Sequence, residues 1–259
     1  IATDSTVDSL ATLTGTNNAY TITIAAADAT GSTAAELTAI DNATSVTVDV
    51  SAITSIEGTY EEITALYGSS GVSGFGDESI TITGDSLSVE EANAIDLLTT
   101  GVVTASIVTD SIVDSLATLT GTNNAYTITI AQADATGTTA TELNTIDAAT
   151  TVTVDASAIT SIEGTFEQIT ALYDSPGVSD LGDENIIIEG DLTVEQANII
   201  DDLTEGTVSG TISSTERVSS LTGLTGNNAY QITISEEDAT TTSVSDLNNI
   251  VKMLRNTKE

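Results

Sequence analysis

Apolar and polar positions recur in two registers along this chain. The first register is helical. Its template is Ser or Thr, two residues, Glu, Gln or Asp, an apolar residue, two more, then Ile or Leu. It stands at Thr33 (TAAELTAI), Thr59 (TYEEITAL), Ser88 (SVEEANAI), Thr139 (TATELNTI), Thr165 (TFEQITAL), Thr193 (TVEQANII) and Ser243 (SVSDLNNI). A weaker relative, TVDSLATL, begins at Thr6 and has counterparts at Ile112 and Arg217. Successive starts therefore follow one short, nearly constant period. Each strong start reads as a capping box: the hydroxyl accepts from the third amide of the helix, and the side chain there reaches back to the cap N–H. The apolar pair behind it, such as Leu37 with Ile40 or Ile63 with Leu66, shares one helix face.

The second register alternates every two residues. It marks strands at 19–24 (AYTITI), 45–50 (SVTVDV), 79–83 (SITIT) and 102–107 (VVTASI), with equivalents later in the chain. Alternation puts Ile22 and Ile24, or Val46, Val48 and Val50, on one face, and Thr and Asp on the other. Gly- and Asn-bearing turns, TGTNNAY at 14–20 and GFGDES at 74–79, punctuate the pattern.

A longer period encloses the short one. IATDSTVDSLATLTGTNNAYTITIA starts at Ile1, IVTDSIVDSLATLTGTNNAYTITIA at Ile107, and ISSTERVSSLTGLTGNNAYQITIS at Ile212. The chain is therefore divided into copy one (1–106), copy two (107–211) and a partial copy three (212–259), each full copy holding four short segments. One strand and one short helix per segment of about 26 residues calls for parallel strands and crossover helices. A fixed period of that size predicts a repeat solenoid. The expected fold is α/β, a solenoid with one parallel sheet, short capped helices and about ten rungs. An all-β parallel β-helix is the alternative, and the capping boxes speak against it.

Composition narrows the chemistry. Among 259 residues there are 39 Asp and Glu, 4 Lys and Arg, no His, no Cys and no Trp, giving a formal charge of −35. The bases are Arg217, Lys252, Arg255 and Lys258, all late in the chain. Without imidazole or thiol there is no ordinary zinc, haem or iron–sulfur site. Nucleic acid would be repelled. No apolar run is long enough to span a membrane. Self-repulsion at this charge is destabilising at low salt, so the expected medium screens it. The chain begins at Ile1 with no signal peptide, as a processed piece of a longer chain would.

Carboxylates and hydroxyls remain as candidate chemistry. Hard oxygen ligands suit calcium. The candidate ligands are the loop acids outside the capping boxes: Asp77, Glu78 and Asp85, and their counterparts Asp183, Glu184 and Asp191. The plain alternative is that these acids form a solvated surface. Glu36, Glu62, Glu91 and Glu142 are already explained by capping. The triplets Thr21-Ile22-Thr23, Thr81-Ile82-Thr83 and Thr127-Ile128-Thr129 could form Thr rows of the kind found on ice-binding solenoids, although Asp49, Asp155 and Glu189 interrupt them. Asn42-Ala43-Thr44 is a glycosylation sequon. Tyr20, Tyr126 and Tyr230, like Tyr67 and Tyr173, fall at equivalent repeat positions, which points to packing. No catalytic residue is assigned, and a sugar-cleaving site would want aromatic platforms that the chain lacks. The last segment, DLNNIVKMLRNTKE, departs from the acidic rule. It predicts a basic C-terminal helix with Leu247, Ile250, Val251 and Leu254 at helical spacing, serving as a cap or an assembly contact.

The strings TAAELTAIDNATSVTVDVSAITSIEGT, ITALYGSSGVSGFGDESITITG and SVEEANAIDLLTTGVVTASI resemble the acidic, Thr-rich repeats of giant secreted cell-surface proteins of bacteria, notably marine cyanobacteria. The resemblance spans essentially residues 1–250. It implies an extracellular or cell-surface fibrous protein, non-enzymatic, often with separate calcium-binding segments. The functional expectation is a structural module, such as a stalk, adhesin spacer or filament subunit. It would associate end to end with itself or with further repeats of the same chain. The alternative is a calcium-dependent binding module whose Thr-rich face or acidic loops meet a surface, glycan or ice.

Overall fold

A computed structural model describes residues 5–25, 31–109, 111–131, 136–226 and 228–253. The expected positions Ile1, Leu254, Arg255 and Lys258 lie outside the described residues. The chain forms two compact units. One holds Ile1–Ser111, Thr118–Ile128 and Ala148–Val152; the other holds Ile112–Ala117, Thr129–Asp147 and Thr153–Glu259.

The first unit runs α1 (Val7–Leu10), β1 (Ser32–Thr33), α2 (Ala34–Asn42), β2 (Val48–Asp49), β3 (Ser55–Gly58), α3 (Tyr60–Tyr67), β4 (Val72–Ser73), β5 (Ser79–Ile82), α4 (Val89–Asp96) and β6 (Val103–Ser106). The second begins with α5 (Val113–Leu116). The strand β7 (Ala125–Thr127) returns to the first unit. Then follow β8 (Thr138–Thr139), α6 (Ala140–Ala149), β9 (Val154–Asp155), β10 (Ser161–Gly164), α7 (Phe166–Asp174), β11 (Val178–Ser179) and β12 (Asn185–Leu192). The chain closes with α8 (Val194–Asp201), β13 (Val208–Ile212), α9 (Val218–Leu221), β14 (Ala229–Ile232), α10 (Glu236–Ala239) and α11 (Val244–Met253).

Each unit carries a five-stranded sheet, in the order β1-β3-β5-β6-β7 in the first and β8-β10-β12-β13-β14 in the second. Every pairing is parallel, and the registers follow the short sequence period. Ser55 pairs with Ser79 and Thr104 with Ala125, each one segment further along. In the second unit Ser161 pairs with Asn185 and Ser209 with Ala229, again one segment on. Short helices alternate with these strands, so the α/β class with parallel strands and crossover helices holds.

The strands differ from the expected one per segment. The sequence AYTITI at 19–24 makes only isolated bridges, Asn18 to Thr44 and Thr23 to Asp49, and the expected strand at 45–50 shortens to Val48–Asp49. A separate two-stranded pairing joins β2 to β4, and another joins β9 to β11. The five-stranded sheets instead recruit Ser-Ile-Glu-Gly at 55–58 and 161–164, which the alternation does not single out. These strands run straight into the capping Thr59 and Thr165. Their glycines are needed for closeness: a Cβ on Gly58 would stand 3.0 Å from the Ala34 Cβ, and one on Gly164 3.2 Å from that of Ala140.

The capping boxes form as the sequence dictates. Thr33 with Glu36, Thr59 with Glu62, Ser88 with Glu91, Thr165 with Gln168 and Thr193 with Gln196 are reciprocal. Thr139 with Glu142 and Ser243 with Asp246 make the same bonds. Thr6 caps α1, whereas Ile112 and Arg217 give their helices no side-chain bond. Ser235 caps α10, a start outside the template. Behind the caps the core is thin and aliphatic: Leu37, Ile40, Ile63, Leu66 and Ile95 from helices meet Ile56, Ile80 and Val103 from strands, all buried. On α11 Ile250 is buried, while Val244, Leu247 and Val251 are exposed.

The uncapped α5 offers a direct check. Ile112 is 52% exposed and occupies the position that Thr6 fills in copy one. Ile112→Thr therefore raises stability by about 1 kcal/mol, and Thr165→Ala lowers it by about the same amount; urea unfolding of both variants measures the two effects.

Candidate functional site

The acidic loops divide between two kinds of place. Asp77 and Glu78 precede β5, and Asp85 follows it, so the strand holds them apart at its two ends. Asp183 and Glu184 likewise precede β12, while Asp191 lies near the far end of that strand, beside Thr211 of β13. The predicted trios are thus not brought together. Among the described residues, no group of three His, Cys, Asp or Glu side chains is placed to hold a metal ion.

Glu78 and Glu184 do not face solvent; each is 1% exposed. The Gly74 and Gly76 backbones, at φ +102° and +153°, curl the loop so that its amides point at the Glu78 carboxylate. Gly76 N–H donates at 2.8 Å and Asp77 N–H at 3.2 Å. The Tyr67 hydroxyl donates to the other oxygen, and the Tyr67 ring stacks on Phe75 with centroids 4.3 Å apart. Burial, with the hydrogen bond to Glu78 and its charge, pushes the Tyr67 phenol far above its usual range. In copy two Gly182 N–H donates to Glu184 at 2.9 Å and Asp183 N–H at 3.2 Å. The Tyr173 hydroxyl there is buried without a partner among the described residues. The next segment locks each loop: Thr99 donates to the Glu78 carbonyl at 2.6 Å, and Thr204 to that of Glu184 at 2.7 Å. These glutamates act as internal acceptors for a tight loop. Asp77, Asp85, Asp183 and Asp191 stay exposed.

A second set of acids joins each of four segments to the one after it. Near the end of its helix stands Asp41, Asp96, Asp147 or Asp201, at one fixed offset from the capping residue. Asp41 accepts from the Ser69 hydroxyl and Asp147 from that of Ser175, both at 2.6 Å. Asp96 accepts from Thr120 and from the Asn124 amide, both at 2.7 Å. Asp201 accepts from Thr225 at 2.8 Å and Asn228 at 2.7 Å. Asn93 and Asn198 add a two-way bond with the backbone of the next loop: Asn93 donates to Thr118 O and accepts from Thr120 N, and Asn198 donates to Gly223 O and accepts from Thr225 N. Sequence reasoning misses this ladder, although a signal for it exists: Asn and Asp three apart recur at 93/96 and 198/201.

The Thr triplets do not build Thr-only rows. Thr23 stands beside Asp49, which pairs with Ser73. Thr81 stands between Glu57 and Thr104. Thr129 stands beside Asp155. Asp49 and Asp155 are held below the usual carboxylate range by the side chains and N–H groups of Ser51 and Ser157.

A cleft of about 420 Å³ is lined by Arg217, Ser219, Thr222, Asp238, Thr241 and Asp246 in the second unit. Asp238 is already engaged there, accepting from Val218 N–H at 3.0 Å. No helix among the described residues is long and apolar enough to cross a membrane. Comparison with protein-family models, curated proteins and solved structures finds no match to the chain.

Two outcomes follow from these bonds. Glu78→Ala strands two loop amides and the Tyr67 hydroxyl, and costs about 3 kcal/mol of stability, whereas Asp77→Ala stays within about 0.5 kcal/mol; chemical denaturation of each variant separates them. The second concerns pH. Burial pushes the Glu142 carboxyl up, but the hydrogen bonds from the Thr139 hydroxyl and N–H, with a proton shared with the Asp114 carboxyl, outweigh it and hold the group below the usual range. A carboxylate lowered in the folded state adds stability above its unfolded pKa, and that contribution is lost as pH falls through the folded value. The stability gap between the native chain and Thr139→Val is therefore widest at neutral pH and narrows below about pH 4, measured by urea unfolding across that range.

Proposed function

We infer that the chain is a non-enzymatic structural repeat module of an extracellular or cell-surface fibre, acting as stalk, adhesin spacer or filament subunit. It is built as one α/β solenoid of about ten rungs, which would extend ~48 Å at strand spacing. The observation that carries this reading is the reuse of the same segment-to-segment bonds in both long copies. Asp41 and Asp147 repeat one bond at the same 2.6 Å, and Asp96 and Asp201 repeat another at 2.7 Å. The buried Glu78 and Glu184 repeat a third arrangement. A reaction centre needs a local departure from such a pattern, with side chains released from structural bonds. Here the repeating buried acids already accept from their own loop, and the half-buried aspartates from the following segment. The secreted, surface-fibre setting rests on the resemblance of the repeats and on a charge that a saline medium would screen.

Thermal unfolding by circular dichroism tests the reading in low salt, with EDTA, with millimolar calcium, and with sodium chloride at matched ionic strength. A structural module gains equally from both salts, because screening alone relieves its self-repulsion. A gain specific to calcium would replace it with the calcium-dependent binding module, since a ligand held only by the native state raises stability. Small-angle X-ray scattering supplies the shape: a solenoid gives the profile of a rod.

A further inference from the structure

The sequence Asn-Asn-Ala-Tyr-Thr-Ile-Thr-Ile occurs at 17–24 and at 123–130, and a close variant occurs at 227–234. Its surroundings differ between copies. In copy two, Asn124 is buried, with its amide nitrogen on Asp96 and its oxygen accepting from Val103 N–H at 2.9 Å. Tyr126 is fully buried, its hydroxyl directed at Ala92 O, and β7 pairs with β6. Copy three repeats this: Asn228 bonds Asp201 and accepts from Val208 N–H at 2.8 Å, Tyr230 donates to Ala197 O at 3.2 Å, and β14 pairs with β13.

In copy one the same residues stand without that neighbour. Asn18 and Tyr20 are half-buried, and neither side chain has a hydrogen-bond partner among the described residues. Tyr20 N–H turns forward to the Thr44 hydroxyl at 3.0 Å. Among the described residues, the bridges of this stretch run to Thr44 and Asp49, on its downstream side. Gly15 keeps the positive φ of Gly121, +104° against +82°. At Gly121 a Cβ would stand 2.5 Å from the Asp96 carboxylate, and at Gly226 1.9 Å from that of Asp201. At Gly15 a Cβ would meet the Asn18 amide nitrogen at 2.7 Å, and no carboxylate of the described residues lies against it.

We propose that the face made by Gly15, Asn18 and Tyr20 is a docking surface for a further repeat segment of the type of residues 88–106: a capped helix bearing Asn and Asp three residues apart, followed by a Val-Val-Thr strand. The proposal rests on the reading of the chain as a module that grows by stacking, and it names the segment that stacks. The two internal junctions show this occupant on the same residues. A second copy of the described C-terminal segment does not fit. That segment has Asn248 at the position of Asn93, but Val251 where Asp96 and Asp201 stand. It would bring an apolar side chain to a site lined by an amide and a glycine turn.

The test uses the full chain with residues 74–106 duplicated directly ahead of residue 1, so that the junction copies the native 106–107 link. Hydrogen–deuterium exchange is followed in 18–22, with 124–128 of the same molecule as reference. Exchange in 18–22 is expected to slow by about tenfold or more and to approach that of 124–128. A second fusion carries Asn93→Ala and Asp96→Ala in the added segment only, and it is expected to lose most of that gain. The proposal is overturned if 18–22 exchanges as fast in the matched fusion as in the parent chain. It is also overturned if the substituted segment protects equally well, or if the parent chain gains the same protection by dimerising as its concentration rises. Fast exchange at 124–128 in the parent chain would instead strike at the stacked-module reading itself.

Discussion

Thirty-nine carboxylates share this chain with four cationic side chains. A carboxylate that approaches the fold must therefore be met by a neutral donor, an N–H or an O–H, or remain in water. The rest of the structure depends on that constraint. Helix starts turn their first-turn acids back to the N–H of the cap residue. Glu78 and Glu184 gather the amides of a glycine loop, and the helix-end aspartates take hydroxyls and amides from the following segment. Bonds from an ionised acceptor are stronger than those between neutral groups, so each partly replaces the cohesion that a richer core would supply. The strands are short, several of two residues, and the apolar layer is correspondingly thin.

Such a scheme also governs where the chain carries its charge. Asp77, Asp85, Asp183 and Asp191 remain in solvent, whereas their neighbours Glu78 and Glu184 are withdrawn from it. Adjacent acids in one loop thus have opposite roles. Loop geometry sets the difference, because only the residue placed behind the positive-φ glycines meets converging amides.

How much is legible in the sequence follows the range of each interaction. Capping boxes are bonds between residues three apart, and their residues announce them; even the failure at Ile112 is visible as a missing hydroxyl. Parallel pairing between successive segments follows from the repeat. Strands are harder to read. Long β-branched runs such as AYTITI stand out, while Ser-Ile-Glu-Gly, with one apolar side chain and a glycine, does not. That glycine serves a contact with Ala34 of the preceding segment, which no local pattern encodes. The six candidate acids look like one loop cluster per copy because they lie close together in sequence. An intervening extended strand turns that short separation into opposite ends. The Asn–Asp ladder is present as a repeated spacing, but its partners lie in the next segment, beyond any local rule.

The short, uniform span of these pairings has a kinetic meaning. A strand finds its partner about a tenth of the chain length away, and no pairing within a five-stranded sheet asks the chain to close a much longer loop. Loop-closure entropy is then similar at every step, and contact order stays low for a β-rich chain of this size. In the solenoid proposed above, folding would begin at more than one place and spread by neighbour addition, with no single nucleus on which all else waits.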